Sequence, residues 1–237
     1  CECSACRELS ISDWYAKIIN ALSAALRERA PGTRFVFLCY IELLWAPETL
    51  EIETSADNAI MMYAPIQRCY GHALDDPACD DGEDWPRPPL NEYSASSYNA
   101  FYVQRLNEWR EAFGGDSFAY DYHLMWANWQ QMTDTRIARI YHQDLQHLQA
   151  LGLDGIVSCQ SFRVFYPSGL AMTTLATTSL MAQADIPDTP APGLTGTLVD
   201  AARAMQLSLR SAWLLARWQT LMPIGLCCTQ SRRANGS

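Results

Sequence analysis

With 237 residues, 49% of them apolar and 18% charged, the chain has enough hydrophobic material for a buried core and falls outside the disordered class. A formal net charge of −9 argues against nucleic acid as a partner, because binding a phosphate backbone needs clustered cations. No apolar run reaches the roughly 18 residues that a membrane span requires.

The chain opens at Cys1, inside a C-x-C-x-x-C cluster of Cys1, Cys3 and Cys6, with no initiator methionine. Such a start reads as the cut end of a longer protein, with any targeting segment upstream. A first helix is expected over residues 13 to about 29, with Asp13 as its N-cap. Trp14, Ile18, Leu22 and Leu26 would form its apolar face, and Pro31-Gly32 ends it. RFVFLCY, residues 34–40, is a short, continuously apolar run, as expected of a strand covered on both faces. IMMYAP, residues 60–65, is a second such run.

A long loop follows over residues 67 to about 94, with the acidic stretch DDPACDDGED and the proline-rich WPRPPL. The acidic stretch fails the EF-hand pattern, Pro77 falling at its first position, and reads as a solvated loop. The next helix spans about 97–113, with Phe101, Leu106 and Trp109 as core contacts and Gly114-Gly115 as its stop. A third strand covers 117–122. An amphipathic helix covers 135–151, with Ile137, Tyr141, Leu145 and Leu148 on one face and Gly152 after it. His142 and His147, five apart, belong on its surface. A fourth strand covers 154–159 and a helix 170–183. Residues 184–196 are a linker by their Pro and Gly content, 197–222 a last helix with Trp213 and Trp218, and 223–237 a frayed tail.

Strands alternating with helices make a parallel α/β unit. A doubly wound sheet and the later half of a (β/α)8 barrel both fit. No glycine-rich loop follows any strand, so dinucleotide and P-loop readings lose their main support. The abrupt start at Cys1 favours the barrel: a C-terminal part of a TIM barrel over residues 1–183, with about four parallel strands, plus a C-terminal helix.

In parallel α/β folds, ligands bind where the strands end at their carboxyl side. There this chain carries acids, amides and aromatics, which suit a hydroxyl-rich ligand. Glycoside hydrolysis uses two carboxyl groups flanking the scissile bond. Asp121 is the first candidate, beside Tyr120, Tyr122, His123 and Trp126, where a partly apolar wall could raise its pKa for acid work. Its other reading is a hydrogen bond to a sugar hydroxyl or a neighbouring loop. Glu42, just past the first strand, is the second candidate, or else a solvated loop acid.

Tyr40, Tyr63, Tyr122, Trp126 and Trp129 could offer flat faces to sugar rings, Tyr63 being the one expected in the core. Arg68, His72 and Arg163 suit a uronate or sialate carboxylate. The competing partners for an arginine here are the acids of residues 75–84. His123 belongs to the same substrate-binding set, and Gln160 can bind a hydroxyl through both donor and acceptor.

The nine cysteines leave three readings open. Cys1, Cys3 and Cys6, together with Cys69, His72 or Cys79, could complete a tetrahedral zinc site. They could equally form disulfides in an exported protein or remain simple thiols. Cys39 and Cys159 sit in apolar strands as small hydrophobes.

Taken in order, CECSACRELSISDWYAKIINALS, the strand ending at Tyr40, MYAPIQRCYGHALDDPAC, YDYH and LGLDGIVSCQSFRVFYPSGL resemble a bacterial family of domains of unknown function. That family is similar to the catalytic barrels of α-glucuronidase-type and hexosaminidase-type glycoside hydrolases. The resemblance covers residues 1–183. It implies a TIM barrel whose N-terminal half lies outside this chain, in an exported (periplasmic or extracellular) bacterial protein. It further implies a glycan or polysaccharide substrate, carboxylate acid/base chemistry and no required cofactor, a structural zinc being the one metal the cysteines could hold. The alternative is a non-catalytic carbohydrate-binding or scaffold barrel.

Overall fold

The computed structural model of the chain describes residues 3–53, 58–125, 134–159 and 170–183. Strands β1 (Phe35–Tyr40), β2 (Ala59–Ala64), β3 (Ser117–Asp121) and β4 (Ile156–Ser158) form one sheet in the order β1-β2-β3-β4. Every neighbouring pair is parallel. Helix α1 (Ile11–Arg29) precedes β1, and α2 (Asn99–Ala112), α3 (Asp134–His147) and α4 (Leu170–Gln183) follow β2, β3 and β4; between β1 and β2 the described residues hold a 3-10 turn, Ile41–Leu44, and no α-helix. The chain therefore has the expected α/β class with four parallel strands. Spatial order follows chain order throughout, without the reversal that marks the switch point of a doubly wound sheet.

The two faces of the sheet differ. Successive side chains on a strand point to opposite sides, and parallel register brings Phe37, Cys39, Met61, Tyr63, Ser117, Ala119 and Asp121 onto one side, where all are buried. That side packs on α2 and the residue that follows it. The Phe37 ring centroid is 5.9 Å from Trp109 and 4.9 Å from Phe113, and Tyr63 Oη donates to the Tyr102 carbonyl at 2.7 Å. Burying a side chain as large as Trp109, which is fully enclosed, is worth about 1.5–3 kcal/mol.

The other side carries Val36, Leu38, Tyr40, Ile60, Met62, Phe118, Tyr120 and Val157. It is apolar but half-open, with Val36 and Val157 on the two edge strands 49% and 45% exposed. The expectation that β1 is covered on both faces is thus corrected: among the described residues, one helical layer covers one face. The free edge of β1 is blunted by α1, since the Leu38 N–H donates to Tyr15 Oη at 2.9 Å.

α1 departs from the sequence expectation in two ways. Its N-cap is Ser10, whose Oγ accepts from the Asp13 N–H at 3.1 Å and donates to Asp13 Oδ2 at 2.7 Å. The N-cap hydroxyl thus serves both the backbone N–H and the carboxylate of Asp13 in the first turn. The buried stripe is Ser12, Asp13, Ala16, Ile19 and Ser23, while Ile18 and Leu22 are 60% and 42% exposed. Small and hydrogen-bonded side chains win this face because residues 45–53 and Asn58 lie close against it. Ser23 Oγ donates to Asn58 Oδ1 at 2.8 Å, and Asp13 Oδ1 accepts the N–H groups of Glu48, Thr49 and Leu50 at 3.1, 2.9 and 2.9 Å.

The other helices match their patterns. Phe101, Leu106 and Trp109 of α2 are buried, as are Ile137, Tyr141 and Leu145 of α3 and Leu148 just after it. Gly152, at φ 71°, reverses the chain after α3, and the Leu153 N–H closes the turn on the Leu148 carbonyl at 2.9 Å. His142 and His147 are exposed, as expected. The acidic loop is solvated, its Asp76, Asp80 and Asp81 side chains accepting from backbone N–H groups two residues on. The segments 184–196, 197–222 and 223–237 lie outside the described residues.

Candidate functional site

At the carboxyl end of β3 the chain buries four charge-bearing side chains together. Arg68, from the loop after β2, is fully enclosed, and its Nε lies 3.2 Å from Asp121 Oδ2. Its Nη2 pairs with Asp144 Oδ2 of α3 and lies 2.9 Å from His123 Nε2. His123 Nε2 is also 2.7 Å from Asp144 Oδ2, and its Nδ1 is 3.2 Å from Asp121 Oδ1, at an angle outside that of a hydrogen bond. The imidazole is sandwiched: Tyr141 stacks on it at 3.8 Å and Tyr70 meets it edge-on at 5.5 Å.

Electrostatics set the protonation of this cluster. Burial alone pushes the Asp121 carboxyl up, but the Arg68 guanidinium and the His123 imidazole outweigh it and hold the group well below the carboxylate range. Burial pushes His123 down, and the charge of the nearby Asp121 together with the contact to Asp144 outweighs that, so its pKa is raised. Arg68 follows the same logic: desolvation lowers its pKa, and the two carboxylates more than reverse it. The Arg68 guanidinium thus faces two carboxylates, with His123 Nε2 lying between Arg68 Nη2 and Asp144 Oδ2. The expectation of an Asp121 carboxyl raised by an apolar wall is corrected; it is ionised. It also lies on the helix-covered side of the sheet, 3% exposed, with Oδ1 taking the Tyr122 N–H at 2.6 Å.

Arg68, expected to meet either a sugar carboxylate or the acids of 75–84, is instead spent on Asp121 and Asp144. His123 is buried with it. Asp121, His123 and Asp144 place ligand atoms within 4.8 Å of one another, a spread a metal ion could use. The Arg68 guanidinium already supplies the cation there, so the group fits an ion-pair network better than a metal centre.

A different set lines the open side. Tyr40 and Tyr120, both half-buried, and Tyr122, buried at 8% exposed, lie on the half-open face at its carboxyl end. Tyr40 and Tyr122 stack with centroids 6.5 Å apart and planes 28° apart, and Tyr120 meets Tyr122 edge-on at 5.1 Å. Glu42 follows in the 3-10 turn Ile41–Leu44 and is exposed. Ile41, which aims it, has φ 50°, a conformation that a β-branched side chain rarely adopts. Tyr93, from the long loop, donates to Gln67 Oε1 at 2.8 Å. Burial, then the nearby charge of Glu42, pushes its phenol up to about 12.

His72 belongs to neither group. Its Nδ1 lies 3.2 Å from Cys69 Sγ, and these two atoms and Cys79 Sγ are mutually within 4.8 Å. Cys3 is exposed and Cys6 half-buried, both as free thiols. Among the described residues, Cys69 groups with His72 and Cys79; Cys1, part of the expected set with Cys3, Cys6 and Cys69, lies outside them. Cys1, Trp126, Trp129, Gln160 and Arg163 lie outside the described residues.

Asp144 escaped the sequence reading although its signal was present. It falls on the Ile137, Tyr141, Leu148 stripe, and an acid on the apolar face of an amphipathic helix needs a buried partner. Asn99, Tyr70 and Ser158, the last hydrogen-bonded to Tyr141 Oη, carried no comparable mark. No helix among the described residues is long and apolar enough to cross a membrane. Compared with family models, curated proteins and solved structures, the chain finds no match.

Proposed function

We propose that the carboxyl edge of this sheet is the sugar-binding rim of a glycoside hydrolase-like (β/α)8 barrel, of which the four strands are the C-terminal part. Sequential parallel order supports the barrel, as does an apolar sheet face left half-open, which closure by further strands would fill with packed side chains. The observation that carries the sugar reading is the cluster of Tyr40, Tyr120 and Tyr122 on that open face beside the solvent-facing Glu42. Aromatic faces offer a sugar ring apolar area, and their hydroxyls offer it a polar edge. In this reading Glu42 is the carboxylate that meets the glycosidic bond. Asp121 is a positioning residue: held ionised by Arg68 and His123, it grips the Tyr122 N–H and so fixes the ring that stacks on Tyr40.

A second reading, a non-catalytic carbohydrate-binding barrel, is favoured by the commitment of Asp121 and Asp144 to Arg68, which withdraws both from chemistry on a sugar. Hydrolysis and binding of soluble glycans by the full-length protein and its Glu42→Gln variant separate the two. Turnover lost in Glu42→Gln with affinity kept within a few-fold supports the hydrolase. Binding without turnover in the wild type supports the second reading. Glycan handling unchanged in both Glu42→Gln and Tyr40→Ala removes the rim as the site.

A further inference from the structure

The segment between β2 and α2, residues 65–98, is far longer than a usual connection. Yet Cys69 (3% exposed), Tyr70 (1%), Leu74 (3%) and Cys79 (0%) are all buried in it. We infer that Cys69, His72 and Cys79 form a zinc site, two thiolates and one imidazole with a water as fourth ligand, which staples this loop to the start of α2.

The ligand atoms have the right spread. Tetrahedral zinc, with bonds of about 2.3 Å to sulfur and about 2.0 Å to nitrogen, sets its ligand atoms roughly 3.5–3.8 Å apart. Here Cys69 Sγ and His72 Nδ1 are 3.2 Å apart, and all three atoms fall within 4.8 Å. Two sulfurs and an imidazole select zinc over the oxygen-seeking magnesium and calcium.

The surroundings hold these ligands in place. Asn99, the first residue of α2, donates its N–H to Cys79 Sγ at 3.3 Å, so that sulfur sits at a helix N-terminus, where a thiolate is favoured. The Asn99 side-chain amide donates to the carbonyls of His72 and Ala73 at 3.2 and 2.7 Å. The Ala100 N–H holds the Cys79 carbonyl at 3.1 Å, and Asp144 Oδ1 takes the Leu74 N–H at 2.6 Å. Arg68 reaches the carbonyls of Cys69 and His72 at 3.4 Å each. Such outer contacts orient metal ligands and tune their affinity.

Asn99 Oδ1 is buried with no hydrogen-bond partner. A zinc-bound water is a donor of the kind it lacks. The ion has a way in, because half-buried His72 lines an open cleft of about 420 Å³ with Gly71, Arg136, Arg139 and Gln143. On binding, Zn²⁺ displaces the two thiol protons, and the resulting Cys2His-water centre is neutral.

The test uses the whole chain purified reduced and without chelator, with metal analysis and replacement of zinc by Co²⁺. One zinc per chain and a tetrahedral cobalt spectrum with thiolate charge-transfer bands are expected. His72→Ala and Cys79→Ser should each weaken zinc binding by more than the tenfold or so that a lost outer-shell contact costs. Cys3→Ser and Cys6→Ser should leave it unchanged. Zinc that survives in Cys79→Ser and disappears in Cys3→Ser overturns the assignment. So does a thiolate-free octahedral cobalt spectrum of the wild type, which needs no variant to fold. A Cys69–Cys79 disulfide in protein that takes up no metal after reduction overturns it as well.

Discussion

Replacing Arg68 by methionine keeps the apolar stem and removes the guanidinium that binds both Asp121 and Asp144. At the 3.2 Å between Arg68 Nε and Asp121 Oδ2, an effective dielectric of about 20 gives roughly 5 kcal/mol of attraction. Most of this is offset in the wild type by the cost of burying the charges. The variant loses the attraction and keeps that cost for two carboxylates that are 3% exposed. The expected loss is about 3–5 kcal/mol, against total stabilities of about 5–15 kcal/mol for ordinary domains.

The pH dependence carries a second signature. Asp121 has a lowered folded-state pKa, so its contribution is present above its ordinary value of about 3.9 and is lost as pH falls towards the folded value. His123 has a raised one, so its contribution is complete below about 6.5 and is lost as pH rises through the folded value. The wild type should therefore hold this stabilisation between about pH 4 and pH 6.5, and the gap to Arg68→Met should narrow on the acid side. Urea unfolding followed by tryptophan fluorescence at several pH values measures it. The double variant Arg68→Met/Asp121→Asn should lose less than the sum of the two single variants, because the second change removes a charge the first left unpaired. A loss below about 1 kcal/mol in Arg68→Met, within the range of an ordinary surface pair, or strictly additive single effects, would refute the network.

Asp13→Asn should cost about 1–3 kcal/mol, because Asp13 Oδ1 accepts three backbone N–H groups of the 48–50 turn. Burial raises that carboxyl and its hydrogen bonds to Ser10, Thr49 and Leu50 outweigh it, so the penalty should be full above about pH 4 and fade below it in the same unfolding assay. Ile41→Asn, at φ 50°, should raise stability by about 1 kcal/mol or leave it level, since asparagine tolerates the left-handed region; a clear drop in thermal midpoint would show that packing of the isoleucine outweighs its backbone strain. Val36→Lys and Val157→Lys, on the open face of the edge strands, should reduce self-association measured by light scattering with little change in unfolding free energy. Unchanged scattering would mean that this face is not the sticky one.

Periodicity and composition alone determined the four short strands and the helices around them, the limits of α4, and the buried stripe of α3. These are local properties, written in spacings of two and of three to four residues. Even the buried Asp144 was legible as an acid on an apolar stripe. Which side of the sheet Asp121 faces was not, because alternation separates two faces without saying which one the helices cover. The α1 stripe failed for a related reason: counting apolar residues chose Ile18 and Leu22, while hydrogen bonds donated by Ser12 and Ser23 and accepted by Asp13, all with residues more than 30 positions away, chose the opposite face. Arg68 finds Asp121 and Asp144 at 53 and 76 residues' separation, and Cys69 finds His72 and Cys79. Sequence determined which groups could bear charge or bind metal. Only the tertiary structure decided which of them meet, because burial and pairing depend on contacts between elements that no local spacing encodes.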